Sequence, residues 1–166
     1  MIELLLIHGV KFGLILSGLL MGVLLISQLI NPEIMLNDYP PDVRERYGRP
    51  RASTARHKLI ATAAFLLAIS GVLFGALRTL PAPIGFRTVF IDVFVIFMIF
   101  NVVDLLLIDW LIFVRWQPKF IILPGTEGMT GYSDYGFHFR AFLIGTAMIT
   151  VLSTVIAAVA AVLKWI

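Results

Sequence analysis

Four long, predominantly apolar runs, Phe12 to Ile30, Leu59 to Leu77, Val89 to Val114 and Ala141 to Leu163, constrain this chain more than any other feature. The shortest has 19 residues and reaches about 28 Å as an α-helix, close to the hydrocarbon thickness of a bilayer. Lipid offers no partner to backbone N–H and C=O groups, so a run of this kind crosses it as a helix. Composition agrees: 60% of residues are hydrophobic and 14% charged, with a mean hydropathy of +0.97, against about 25% charged in soluble domains. The expectation is an all-α, multi-pass protein of one transmembrane domain, an antiparallel four-helix bundle with spans at about 4–30, 55–79, 87–115 and 136–164. Two long connections, 31–54 and 116–135, lie on one side.

Lys and Arg set the orientation. Nine fall on the side of those connections: Arg44, Arg46, Arg49, Arg51, Arg56, Lys58, Arg115, Lys119 and Arg140. Lys11, Arg78, Arg87 and Lys164 are the four on the other. The positive-inside rule then puts the connections in the cytoplasm and both termini outside, in a bacterial plasma or inner membrane. The net charge of +3 reads as topology and contact with anionic lipid, and no nucleic-acid partner is expected. The first run is kept as a retained helix: Glu3 precedes it, no base occurs before Lys11, and it is longer than a signal core. With no cysteine, disulfides, thiolate metal sites and thiol nucleophiles are excluded.

Residues 37 to 54, "NDYPPDVRERYGRPRAST", read as a short surface helix lying on the headgroups, with Pro41 at its start, Gly48 as its left-handed stop and Ser53 or Thr54 capping the next span. "LPAPIG", 80 to 85, is a tight turn that makes the second and third spans neighbours. In the other connection, Phe120 to Leu123 form an apolar tetrad expected in the interface beside Trp116. Gly125, Gly128 and Gly131 follow without the flanking residues of a phosphate loop, so an irregular loop is expected.

Leu and lipid are equally apolar, so spans associate where small residues let backbones approach. Ala61, Ala64, Ala68, Gly71 and Gly75 form one stripe on the second span. Gly18 and Gly22, with Gly9 and Gly13 on a second face, serve the first; Thr146, Thr150, Ser153, Ala157 and Ala161 serve the fourth. A stripe left over would meet a second copy of the chain or another membrane subunit.

The third span carries Asp92, Asn101, Asp104 and Asp109. Charged groups at membrane depth mark function or are paired. Counting depth from the helix ends, Asp92 pairs with Lys11, and Asp109 pairs with Arg56 or Arg140. Asp104, near the midplane, has no cation at its level; its polar neighbours are Asn101, Ser17, Ser70, Thr150 and Ser153. It stitches two helices as a neutral acid, or with Asn101, Ser70, Thr150 and Ser153 binds a ligand or a proton, or serves a partner helix.

His57 and His138 both stand at cytoplasmic helix starts, where paired imidazoles could hold haem or, with Glu127 or Asp134, a metal. Neither belongs to a ligand motif, so no metal and no cofactor are expected. Glu127, Asp134, His138, Arg140, Asp38 and Asp42 could line an interfacial active site, but no nucleophile motif accompanies Ser53 or Ser133. The strings "NDYPPDVRERYG" and "PGTEGMTGYSDYGFHFR", with "IDW" ahead of the second, resemble those of small, uncharacterised four-helix bacterial membrane proteins. That resemblance covers most of the chain and implies a fold, but no activity and no catalytic residue. The leading functional expectation is a non-enzymatic protein that binds or passes a small solute, ion or proton, as a homo-oligomer. An accessory subunit comes next, then an enzyme with a cytoplasmic-face site.

Overall fold

The computed structural model describes residues 2–163; Lys164, used in the orientation argument, lies outside them. Four long apolar helices dominate: α1 (Ile2–Ile30), α3 (Thr54–Arg78), the helix that starts as α4 (Phe86–Val103), and α5 (Tyr135–Val162). The short α2 (Pro41–Tyr47) lies in the first connection. The described residues contain no strand.

The helix starting as α4 changes winding partway along its length. From Asp104 to Trp116 it continues as a π-helix, the wider i→i+5 form that usually appears as a single turn and often at functional sites. Gln117 ends it, with its N–H donating to the Ile112 carbonyl five residues back at 2.8 Å and its own backbone left-handed at φ 50°. Asp104 is the first residue of the widened segment.

Packing follows the small residues, on one face of α1 rather than two. A Cβ at Gly9 would lie 2.8 Å from Val95 Cγ1, and one at Gly13 would lie 2.7 Å from Ile99 Cβ, so these glycines let α1 and α4 close on each other. Their rising register, 9 with 95 and 13 with 99, makes the two helices parallel. Gly18 and Gly22 meet nothing. Antiparallel helices flank this central pair: α3 on α1, where Phe12 faces Gly75 and Asn31 bonds Thr54, and α5 on α4, where Asn101 bonds Thr146. The second and third spans, expected as close neighbours, meet chiefly through side chains such as Phe65 and Phe100, whose ring centroids are 6.2 Å apart. Leu16, Leu20, Val93, Ile96 and Ala157 fill the centre. The outer faces of α3 and α5 are hydrocarbon: Leu67 is 73% exposed and Ile144 63%. That surface suits a bilayer and no aqueous solvent.

The two long connections build a cap with its own core, in place of the solvated connector and interfacial tetrad expected. A 3-10 segment, Pro32–Asp38, turns back under the helices, and α2 follows with Pro41 at its start and Gly48 (φ 87°) at its end. Tyr39, Val43, Ile121 and Leu123 are fully buried there against Phe113 and Tyr132. The Tyr39 hydroxyl donates to the Ile121 carbonyl at 2.7 Å, joining the two connections. The physical reason is area: Ile34, Leu36, Tyr39, Val43 and the tetrad together carry enough apolar surface for a small core, at about 1.5–3 kcal/mol for each large side chain buried. Glu33, 2% exposed, anchors the cap to α3 by accepting from Tyr47, from the Arg51 N–H and guanidinium, and from Thr54. Burial opposes its charge, yet those donors hold its carboxyl well below the ordinary range, at about 2. Thr54, expected as a cap, serves Glu33, and Ser53 makes no capping bond.

Candidate functional site

The polar groups expected around Asp104 do not gather there. Asn101 turns to α5, its amide donating to Phe142 O and Thr146 Oγ1 at 3.1 Å each. Ser70 is exposed on the outer side of α3, and Thr150 is exposed with its hydroxyl bound back to Thr146 O. Ser17 likewise donates to Gly13 O. Ser153 is buried on α5 with no hydrogen-bond partner. None of these side chains hydrogen-bonds the Asp104 carboxyl.

Asp104 faces the capped end instead. It lines a cavity of ≈ 110 Å³ with Gln28 of α1, Asp38 of the 3-10 segment, Asp109 one turn on, and His138 of α5. Leu24, Leu25, Met35, Ile108 and Phe113 supply the apolar remainder. Three carboxylates thus share one wall with one imidazole. His138, 4% exposed, places Nδ1 2.9 Å from Asp109 Oδ1. Oδ1 of Asp104 is buried and has no hydrogen-bond partner, and its charged neighbours are Asp109, Asp38 and His138. Asp38 keeps an open edge, but it sits in a recess where burial pushes its carboxyl above the ordinary range, with Lys58 opposing and Asp109 adding.

The expected ion pairs find other partners. Asp92 is fully buried and pairs with His8, Nδ1 to Oδ1 at 2.7 Å, while Nε2 of His8 lies 3.2 Å from Thr79 Oγ1. Lys11, three residues beyond His8, is exposed and holds its ammonium 5.8 Å from the Phe12 ring. A compact imidazole fits between α1, α3 and α4 where a long lysine would have to fold back. Asp109 takes His138, and Arg140 lies at the exposed surface 3.8 Å from Asp134. His57 and His138 are not brought together. His57 lines a separate groove with Val23, Ser27 and Ala61 on the α3 flank, and among the described residues no group of three His, Asp or Glu side chains is close enough to ligate one metal ion directly.

The acids considered for an interfacial enzyme are largely engaged in the cap. Asp42 accepts from the Gly131 N–H, Glu127 from the Gly125 N–H, and Asp134 caps α5 through the Phe137 N–H. The glycine loop thus turns two of its N–H groups to carboxylates, one its own Glu127 and one Asp42 of α2, which leaves them unavailable to phosphate. The cavity wall holds no hydroxyl, thiol or amine nucleophile. Its polar groups are three carboxyls, one amide and one imidazole.

Sequence reasoning missed Gln28 and did not connect Asp38 with Asp104. A glutamine ending an apolar run, followed by a connection rich in Ile, Leu and Tyr, was the available signal that this connection folds inward. The chain matches no protein-family model, no curated protein and no solved structure.

Proposed function

We propose that this membrane protein binds a small cation, in competition with a proton, at the Asp104 cavity beneath its cap. The observation that carries the reading is that Asp38, Asp104 and Asp109 all line one small cavity, in which Asp109 alone has a close imidazole partner. Carboxylates in a medium of low polarity are tolerated only when a proton, a cation or a hydrogen-bond donor compensates them. Asp104 lacks the last of these, so a bound proton or cation satisfies it. The start of a π segment at the same residue supports a site, since such windings recur where a helix is shaped for function.

With the cap in the cytoplasm, as the nine basic residues on that side of the chain favour, the cavity opens from the inner face of a bacterial plasma membrane. The dry core around Leu16, Ile96 and Phe97 separates it from the His8–Asp92 pair at the other end, so passage across the membrane would require the helices to move. In proteoliposomes, an imposed gradient of Na⁺, K⁺ or guanidinium is expected to change internal pH with the wild-type chain and not with Asp104→Asn. Equal behaviour of the two would refute the reading.

A second reading is favoured by Gly18, Gly22 and Gly71, at which a Cβ would meet nothing within 4 Å. These small residues are unused inside the chain and suit close approach by a second copy or another membrane subunit.

A further inference from the structure

A second cavity, of ≈ 380 Å³, lies between α1 and α3 at the level of the cap. Val23, Ala61, Phe65 and Leu66 make its apolar wall, and Asp38 and Lys58 face it with opposite charges. Both charged residues are exposed, and no ion pair closes between them among the described residues. Lys58 stands four residues into α3, about 6 Å along the helix from its start, which is headgroup depth. Leu66, two turns further along α3, is 57% exposed on the side where acyl chains would run.

An aspartate and a lysine that share a cavity without touching are complementary to a ligand carrying both charges. An ammonium offers three donors to a carboxylate, and a phosphate accepts charge-assisted bonds from a lysine. A trimethylammonium has no donor, and a purely anionic headgroup leaves Asp38 facing like charge. We propose that the α1–α3 cavity binds a phosphoethanolamine lipid, its ammonium on Asp38, its phosphate on Lys58 and its chains along Phe65 and Leu66. This goes beyond the cation site and does not require Asp104, although Asp38 borders both cavities.

The test is lipid retention by the purified, delipidated full chain, measured by native mass spectrometry with phosphatidylethanolamine, phosphatidylcholine and phosphatidylglycerol of identical chains. Phosphatidylethanolamine should bind best. Lys58→Gln and Asp38→Asn should each weaken it about tenfold, the size of one lost charge-assisted bond. Ala61→Trp, which fills the cavity from the exposed flank, should weaken all three lipids while the circular dichroism spectrum is retained. Asp104→Asn should keep the lipid, so the two proposals fail separately. Equal binding of phosphatidylcholine, or of phosphatidylglycerol with no effect of Asp38→Asn, would overturn the assignment.

Discussion

Nδ1 of His138 lies 2.9 Å from Oδ1 of Asp109, and the pairing leaves Asp104 in the same cavity with a buried oxygen that has no hydrogen-bond partner. Removing the imidazole would leave the cavity with three acids and no base. His138→Ala is therefore expected to lower stability by about 2–3 kcal/mol, with much of the loss restored by adding Asp109→Asn. Thermal unfolding of the two variants in one detergent checks this; a double variant no better than the single one would place the cost in packing alone.

At the opposite end, His8 and not Lys11 holds Asp92. His8→Ala strands a fully buried carboxylate and should cost roughly 3 kcal/mol, whereas Lys11→Ala should stay within about 0.5 kcal/mol of wild type. Denaturant titration of both variants distinguishes the two pairings.

The glycines of α1 give a sharper contrast. Gly13→Ala forces a Cβ to 2.7 Å from Ile99 and 3.0 Å from the Ile96 carbonyl, and separating α1 from α4 to relieve that contact should cost about 1–3 kcal/mol. Gly18→Ala points into open space and should leave the melting temperature unchanged or raise it slightly. If the variants behave alike, the α1–α4 seam is wrongly placed.

Four spans were legible because twenty or so apolar residues in a row have one stable solution in lipid. The partners of the buried acids were not, for two physical reasons. Depth counted at the α-helical rise has the resolution of one turn, and one turn separates His8 from Lys11. Depth also says nothing of which face a residue takes: Ser70 and Thr150 lie at the right level but on exposed faces of α3 and α5, so the expected grouping with Asp104 did not form. The cap was hidden differently. Tyr39, Ile121 and Leu123 are too scattered to show a helical or strand period, and only their burial together reveals the small core that carries Asp38 to the cavity.

Glu33 makes the cap sensitive to acid. Its carboxyl is depressed in the folded chain, from 4.5 to about 2, so the stabilisation it contributes is complete above pH 4.5 and is lost as pH falls through about 2. Glu33→Gln removes the charge that Arg51 and Thr54 engage and should cost on the order of 2 kcal/mol at neutral pH. The variant should also show a flatter stability profile between those two pH values. Stability curves of wild type and variant that run parallel in that window would contradict the assigned role.

The most direct test of the cation site is infrared difference spectroscopy of the lipid-reconstituted protein while pH and cation concentration are varied. The account predicts a carboxylic-acid band that titrates reversibly, that added Na⁺, K⁺ or guanidinium displaces, and that is missing from Asp104→Asn. A variant spectrum identical to that of wild type, or a band that no cation disturbs, would contradict it.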